Sequence, residues 1–246
     1  MAMGNPAGDS GDGHVFRAPA DAVPLDGERL AAYLESIGLP LDRSVEIRQF
    51  ATGMANRNYR LTAGGRDLVL RRPPDGELPP GAHDMAREHR ILSRLGSALP
   101  LAPTSVHLCE DRTVIGAPFQ LIEYRPGLVI KGDDQRPFVG RPDVARRTGR
   151  MLVETLVAIH QVDAAAVGLG DLGKPEGFFE RAVKGWVGRA ERVAMREDTA
   201  ALAREIGAWL GRAQRRPRMP TLLHSDFKLD NLILDPATLQ PVAIVD

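Results

Sequence analysis

The sequence is poor in several residue types, and each shortage excludes a class of protein. Its 246 residues include one cysteine, Cys109, so a disulfide framework and a thiolate metal cluster are both excluded. Lysine plus arginine number 32, as do aspartate plus glutamate, so the chain has no excess of positive charge to attract nucleic acid or an acidic membrane. No hydrophobic run approaches the length of a membrane span, and the N-terminus lacks the apolar core of a signal peptide. We therefore expect a cytoplasmic protein without a nucleic-acid or membrane partner.

Apolar runs and polar loops alternate over residues 222–246. The apolar runs predict three short strands, at 222–223, 232–234 and 242–245. The loop between the first two is His224–Asn231, and the last strand leads to Asp246. This arrangement places an acid, an amide and a second acid on loops that join neighbouring strands.

Phosphoryl transfer from a nucleotide uses this set of groups. An aspartate such as Asp226 accepts the proton of the attacking hydroxyl, while an asparagine five residues later, Asn231, and a further acid, Asp246, hold a metal ion. Mg²⁺ prefers oxygen ligands, which these side chains supply. Lys228 can place a positive charge near the transferred group. The sequence thus predicts Asp226 and Lys228 as catalytic residues, and Asn231 and Asp246 as metal ligands.

The spacing His-x-Asp, four residues, Asn, and a hairpin ending in Ile-x-Asp resembles the kinase-like superfamily. It resembles the aminoglycoside phosphotransferase and choline kinase family more closely than the protein kinases. The resemblance implies an α+β, two-lobed protein-kinase-like fold, with an antiparallel sheet and a helix in the N-lobe and a mostly helical C-lobe. It also implies ATP and Mg²⁺ as cofactors and a small-molecule hydroxyl as the acceptor. Ser225 replaces the arginine that protein kinases use to receive a regulatory phosphate, so we expect no such regulation.

Three further segments narrow the resemblance to the phosphotransferase domains related to certain acyl-CoA dehydrogenase fusion proteins. They are Leu70–Pro74, Leu78–Glu88 and Gly168–Glu180. This subgroup implies a hydroxy acid or hydroxyacyl thioester as acceptor, rather than an antibiotic. Members of the family continue beyond the second acid with helices that build the acceptor pocket. We therefore expect a C-terminally truncated fragment with an incomplete C-lobe.

The chain divides by composition into three parts. Residues 1–25 are predicted to be a disordered leader, 26–124 a β-rich nucleotide-binding lobe, and 125–246 a helical lobe with the catalytic loop. Helices are predicted at 26–38, 83–95, 143–162, 176–191 and 197–214. Strands are predicted around Val45 and Ile47 and at 58–62, 67–71, 106–108 and 119–123.

Glu88 lies on the apolar stripe of the helix predicted at 83–95. A carboxylate that faces the core needs a cation, and Arg71 is the candidate because it shares strand parity with Val69. Kinase-like folds pair a strand cation with a helix glutamate to hold the nucleotide phosphates, although the usual cation is lysine. Arg72 is an alternative to Arg71, and a surface salt bridge is the alternative to a phosphate-binding pair.

Two other segments match nucleotide-binding positions of the family. The turn containing Gly53 and Asn56 corresponds to the turn that covers the phosphates, although a plain hairpin turn explains it equally well. Glu123 and Tyr124 correspond to the connector that binds the adenine edge, and a strand ending in a Pro-Gly turn is the alternative there. The cofactor-binding candidates are therefore Arg71, Glu88, Gly53, Asn56, Glu123 and Tyr124.

A second glycine-rich stretch, Gly168–Pro175, imitates a phosphate-binding motif in the wrong context. A helix is predicted before it, and Pro175 replaces the serine or threonine that would hold magnesium, so we interpret it as a loop.

Two further hypotheses about function stay open for the whole chain. One is a non-catalytic nucleotide-binding module, favoured by arginine at the lysine position. The other is a regulatory protein kinase, which Ser225 disfavours. The oligomeric state is not encoded in any recognisable pattern.

Overall fold

The computed structural model describes residues 7–9, 14–51, 56–76, 83–132, 134, 136–213 and 219–245. The chain forms two compact units, one made of Met1–Val162 with Leu223–Asp246 and the other of Asp163–Leu222. The predicted lobe boundary after residue 124 stays a prediction. No helix among the described residues is long and apolar enough to cross a bilayer.

The described residues form strands β1 (Ala7–Asp9), β2 (Val15–Phe16), β3 (Arg48–Gln49), β4 (Arg57–Ala63), β5 (Arg66–Arg72), β6 (Ser105–Cys109), β7 (Phe119–Glu123), β8 (Leu232–Leu234) and β9 (Pro241–Ile244). They form helices α1 (Gly27–Ser36), α2 (Met85–Leu95), α3 (Arg112–Ile115), α4 (Pro142–His160), α5 (Phe178–Val193) and α6 (Glu197–Ala213). Apart from the four-residue α3, every helix lies at a position where the sequence predicts one.

The centre of the first unit is a five-stranded antiparallel sheet in the order β3-β4-β5-β7-β6. Gly64 and Gly65, with φ of 57° and 70°, make the tight turn between β4 and β5 that the sequence predicts. One face of the sheet packs on α1 through a core of fully buried side chains, among them Leu30, Leu34, Leu61, Leu68, Leu70, Phe119 and Leu121. Because β5 alternates, Val69 and Arg71 point to the opposite face.

Aspartate caps start the two helices that accompany this sheet. Asp26 Oδ1 accepts a hydrogen bond from Arg29 N at 3.1 Å at the start of α1. Asp84 Oδ1 accepts one from Arg87 N at 2.9 Å at the start of α2. Such caps satisfy amide groups that the first turn leaves unpaired. In α2 the cap fixes the first turn, and this turn carries Glu88.

The connector that follows β7 is joined to the β8–β9 hairpin. Leu128 N donates to Leu234 O at 2.7 Å, and Leu234 N donates back to Leu128 O at 2.8 Å. Gly127, with φ of 154°, allows this approach, since a Cβ atom there would lie 2.5 Å from Ile233 Cγ2 and 2.7 Å from Leu234 O. The connector therefore lies directly against the strand that follows the loop of residues 224–231.

The second unit is built around the helix pair α5 and α6. The two helices approach closely at Gly207, where a Cβ atom would lie 2.4 Å from Val187 Cγ2. The glycine-rich stretch 168–174 contains turns rather than a strand-to-helix junction, and Leu169 N donates to Ala164 O at 2.6 Å. Its interpretation as a loop agrees with this geometry.

Residues 14–25 differ from the disordered leader that their composition predicts. Phe16 is fully buried, and β2 pairs with β1. Farther along, the backbone of Val23 is held by two side chains of the sheet, because Gln49 Oε1 accepts from its N–H at 2.7 Å and the Tyr59 hydroxyl donates to its carbonyl at 3.0 Å. These contacts order the segment through distant partners, which local composition does not reveal.

Two predicted strands also differ from the structure. Val45 is 40% exposed, and the strand begins later, at Arg48. The reason is local, since Asp42 Oδ1 accepts hydrogen bonds from both the amide and the hydroxyl of Ser44 and so makes a turn. Residues 222–223 are not a strand, and Leu223 is 46% exposed.

Candidate active site

The loop of residues 224–231 brings together the three side chains that the sequence selects there. A turn of 3₁₀ helix at Leu229–Asn231 ends the loop, and Asn231 N donates to Lys228 O at 3.1 Å. Ser225 has φ of 71°, which bends the backbone immediately before Asp226. Asn231 is 6% exposed, and its carbonyl accepts from Val245 N at 2.9 Å.

Asp226 is an exposed carboxylate held by two neighbours. Its Oδ2 atom accepts from Lys228 Nζ at 2.8 Å and from Asn231 Nδ2 at 3.1 Å. The hydrogen bond from Lys228, helped by that from Asn231, holds the pKa of Asp226 below its ordinary value, although partial desolvation opposes the shift. At neutral pH the side chain is therefore an ionised carboxylate with a fixed orientation.

Asn231 is oriented by the same contacts. Its Nδ2 atom donates to the carbonyl of Asp226 at 2.9 Å as well as to the carboxylate. Because the nitrogen is used in this way, the oxygen Oδ1 is the atom left to face a cation. Asp246, the other predicted ligand, lies outside the described residues. Among the described residues, no three His, Cys, Asp or Glu side chains converge as a metal site.

His224 begins the loop and contacts it through its ring. Its ring makes an edge-to-face contact with Phe227, with centroids 5.9 Å apart. Its Nδ1 atom is buried and has no hydrogen-bond partner among the residues that the structure describes. His224 is half-buried, with its Nδ1 atom shielded from solvent, whereas the Asp226 carboxylate faces solvent.

Arg71 and Glu88 form the ion pair that the sequence suggests. Arg71 Nε lies 2.8 Å from Glu88 Oε1 and 3.1 Å from Oε2, and the two side chains are 13% and 23% exposed. Helix α2 supplies the carboxylate and strand β5 the guanidinium. The pair is thus largely removed from water, unlike a surface salt bridge.

Arg72, the alternative to Arg71, points to the other face of the sheet. It is 5% exposed, its Nη1 donates to the carbonyl of Ile115 at 3.5 Å, and its Nη2 pairs with Asp75. These contacts place Arg72 in the core-facing layer. Of the two arginines, Arg71 is therefore the one that meets Glu88.

Asn56 and His83 extend the Arg71 pair. With its amide oriented so that both ends are satisfied, Asn56 donates to His83 Nδ1 at 2.6 Å and accepts from Arg71 Nε and Nη2 at 3.1 and 2.8 Å. His83 adopts φ of 56° just before the cap of α2. His83 is not recognisable from the sequence, because no neighbouring residue indicates its positive φ. Gly53, the other candidate in this turn, lies outside the described residues.

Glu123 and Tyr124 lie at the end of β7, as predicted, and their side chains are engaged. Glu123 Oε2 accepts from Arg125 Nη2 at 3.0 Å and from Thr104 N at 3.3 Å. The guanidinium of Arg60 lies 4.3 Å from the centroid of the Tyr124 ring. Both residues line a groove of about 710 Å³ that also includes Arg60, Asp67, Thr104 and Pro126.

Curated relatives are longer proteins in which one region is similar to this chain. Acyl-CoA dehydrogenase family member 10 of Mus musculus is 36% identical over 226 residues, which are 92% of this chain and 21% of that protein. Acyl-CoA dehydrogenase family member 11 of Gallus gallus is 32% identical over 206 residues, which are 82% and 26% of the two chains. The chain thus spans about a fifth to a quarter of the length of these relatives.

Solved structures share the fold. A Ralstonia eutropha JMP134 protein, described as a candidate aminoglycoside phosphotransferase, matches with a TM-score of 0.67 and 26% identity over 91% of this chain and 64% of that one. A thermostable mutant of aminoglycoside phosphotransferase APH(4)-Ia, solved with AMP-PNP and hygromycin B, matches with a TM-score of 0.59 and 18% identity over 87% and 69% of the two chains. The predicted α+β kinase-like fold class is confirmed.

A family model covers most of the chain and includes the loop of residues 224–231. The model, described as the phosphotransferase enzyme family, matches residues 46–246, which include Arg71, Glu88, Asp226 and Asn231. The resemblance inferred from the loop spacing, including its link to acyl-CoA dehydrogenase fusion proteins, is therefore confirmed. On this match and on the identity to its longer relatives, the chain belongs to the phosphotransferase enzyme family.

Proposed function

We propose that the chain is an ATP- and Mg²⁺-dependent phosphotransferase that phosphorylates the hydroxyl group of a small molecule. The observation that carries the proposal is the contact of Asp226 with both Lys228 and Asn231 in one exposed loop. An ionised carboxylate in this setting can orient a hydroxyl group and accept its proton as the oxygen attacks the γ-phosphorus.

The residues around Asp226 have two different proposed roles, which are to position the carboxylate and to stabilise the charge of the transferred group. Asn231 and the backbone turn hold the carboxylate in place, so the acceptor oxygen is positioned before reaction. The Lys228 ammonium is 49% exposed and adjacent, and it can exchange its contact with Asp226 for one with the negative transferred group. Asp226 and Lys228 are thus the proposed catalytic residues.

The Arg71–Glu88 pair is the proposed phosphate anchor. Glu88 fixes the guanidinium, and Asn56 accepts from the same group, so Arg71 is held in one orientation. A planar guanidinium with two edges can bind phosphate oxygens on one edge while Glu88 occupies the other. Asn56 with Gly53 would cover the phosphates, and Glu123 with Tyr124 would border the base.

Mg²⁺ fits the chemistry of the proposed ligands. Asn231 offers a side-chain oxygen at a buried position, and Asp246 is a carboxylate, so both are hard ligands. When bound, the ion would neutralise charge on the phosphate oxygens. Binding by one amide and one carboxylate, with the nucleotide supplying further oxygens, is typical of Mg²⁺ sites.

For the acceptor, we propose a hydroxy acid or a hydroxyacyl thioester. The support is that relatives more than 30% identical carry this region within proteins named acyl-CoA dehydrogenase family members. The structural neighbours solved with aminoglycosides are less than 20% identical and support the fold alone. The acceptor proposal is therefore a hydroxyl group on an acyl chain.

A binding experiment followed by a transfer experiment tests the function. Calorimetric titration with Mg-ATP comes first, and transfer of labelled γ-phosphate to a panel of hydroxyacyl thioesters, hydroxy acids, choline and aminoglycosides comes second. Transfer to a hydroxyacyl compound supports the whole proposal, and transfer only to another alcohol corrects the acceptor. Binding of Mg-ATP without transfer to any member favours a non-catalytic nucleotide-binding module.

A further inference from the structure

We propose that His14 is a positioning residue for nucleotide binding, because it holds the connector that borders the base. The proposal rests on the proposed function, since it names a further determinant of the same ATP site. His14 lies before residues 46–246, where the family model matches, and sequence composition assigns it to a disordered leader. The structure instead places it in the first unit, in contact with the connector.

The segment that carries His14 is anchored to the edge of the main sheet. Ala51 N donates to Val15 O at 2.9 Å, and Arg17 N donates to Gln49 O at 2.8 Å. Between these two bonds, Phe16 and Phe50 form an antiparallel bridge, and their ring centroids lie 4.8 Å apart. The position of His14 is therefore fixed by backbone pairing and not by its own side chain alone.

His14 reaches the connector by a buried hydrogen bond. Its Nε2 atom lies 3.0 Å from the carbonyl oxygen of Arg125, and the residue is 6% exposed. A carbonyl can only accept, so Nε2 carries the proton in this contact. The ring contacts two aromatic neighbours, with centroids 5.3 Å from Phe50 and 5.4 Å from Tyr124, and these two rings lie 6.4 Å from each other.

The connector is held at two places, by the hydrogen bond from His14 to the Arg125 carbonyl and by the pairing of Leu128 with strand β8. Arg125 directly follows Glu123 and Tyr124, and Leu128 pairs with Leu234 three residues later. Pro126 follows Arg125 and has no amide hydrogen, so the connector cannot be held there by its own N–H. Without His14, the Arg125 carbonyl loses this hydrogen bond, and the connector next to it keeps the bond from Tyr124 N to the Asp67 carbonyl at 3.3 Å.

If His14 positions the part of the site that borders the base, replacing it should weaken the binding of Mg-ATP but not that of a ligand without a base. Tripolyphosphate has the phosphates of ATP without the base, so it reports on the phosphate anchor alone. The experiment measures calorimetric dissociation constants for Mg-ATP and for Mg-tripolyphosphate with the full 246-residue chain. The variants are His14→Phe, which keeps the ring and removes the hydrogen bond, and His14→Gln, whose amide can donate in its place. His160→Ala, at the exposed end of α4, is the control.

We expect His14→Phe to weaken Mg-ATP binding about tenfold, the usual effect of losing one buried hydrogen bond. Its affinity for Mg-tripolyphosphate should stay close to that of the unaltered chain, while its melting temperature should fall by about 2–4 °C because the Arg125 carbonyl loses this buried hydrogen bond. His14→Gln should recover most of the ATP affinity, and His160→Ala should change neither constant. Equal ATP affinity in His14→Phe, or an equal loss for both ligands, overturns the inference while leaving the proposed function intact. If the unaltered chain binds no Mg-ATP, the proposed function fails and the inference fails with it.

Discussion

Asn231 donates its side-chain amide to Asp226 at two atoms, the carbonyl oxygen at 2.9 Å and the carboxylate at 3.1 Å. The spacing of five residues therefore has a direct structural meaning, because it lets the asparagine hold the aspartate and still present its own oxygen to a cation. One side chain thus links the proposed proton acceptor to the proposed metal site. A loss of Asn231 would disturb both groups together.

The pH dependence of the reaction should report on Lys228. Its hydrogen bond is the main cause that lowers the pKa of Asp226, so Asp226 stays ionised above this lowered pKa and loses function only as the pH falls through it. Replacing Lys228 by methionine removes that hydrogen bond, so the pKa of Asp226 should rise and the acidic limb of kcat/KM should move to higher pH. Profiles of both proteins, with Lys184→Met as the control, measure the shift. An unchanged acidic limb in Lys228→Met would show that Asp226 is not the titrating group.

The Arg71–Glu88 pair should act as a unit. Both Arg71→Met and Glu88→Gln should raise the KM for ATP and lower kcat/KM. Arg71→Met removes the guanidinium, and Glu88→Gln removes the charge that holds it in place. A double-mutant cycle should give a coupling of about 0.5–3 kcal/mol, the range for residues in direct contact. Glu35→Gln makes the same chemical change at an exposed position of α1 and is the control. Strictly additive effects would contradict a shared role.

His83 should support the phosphate side of the site through Asn56. Replacing His83 by alanine removes the acceptor for the Asn56 amide, so the amide can turn away from Arg71. We expect the dissociation constant for Mg-ATP to rise about fivefold, which corresponds to a hydrogen bond of about 1 kcal/mol. His83→Gln, whose oxygen can accept, should recover part of the loss. Calorimetry measures the dissociation constants. An affinity of His83→Ala for Mg-ATP equal to that of the unaltered chain would show that His83 does not support the site.

Gly127 should be required for the stability of the first unit. A Cβ atom at this position would lie 2.5 Å from Ile233 Cγ2, and the backbone has φ of 154°, so Gly127→Ala must push the connector away from β8. We expect a loss of about 2 kcal/mol or more in the free energy of unfolding. Gly149→Ala in α4, where no atom lies within 4 Å of the added carbon, should instead stabilise by about 0.5–1 kcal/mol. Denaturant unfolding compares the two, and a neutral Gly127→Ala would contradict the close approach.

The parts of the fold with strong local patterns could be predicted from the sequence. The tight turn needs two residues with positive φ, and Gly64-Gly65 supplies them. The helix α2 has an apolar stripe and a cap, which together place Glu88 on the correct face. The loop carrying Asp226 and Asn231 is recognisable because its spacing is fixed by the contact between the two side chains.

The parts that depend on distant partners could not be predicted. Phe16 looks like one apolar residue in a polar leader, and only its contacts with Phe50 show that it is buried. Strand parity favours Arg71 over Arg72, but only the contact of Arg71 with Glu88 in the folded chain shows which arginine meets the carboxylate. His83 required the position of Asn56, a residue 27 places earlier in the chain. In each case the deciding contact joins residues that no local pattern connects.

The Asp226→Asn substitution tests the central claim most directly. The amide keeps the size of the carboxylate but cannot accept a proton, so the account predicts a fall in kcat of about 10²–10⁴-fold, the usual contribution of a general base. The dissociation constant for Mg-ATP should change little, and Asp143→Asn, an equivalent change at the exposed start of α4, should leave kcat intact. Phosphate transfer by Asp226→Asn at the rate of the unaltered protein would contradict the assignment of Asp226 as the proton acceptor.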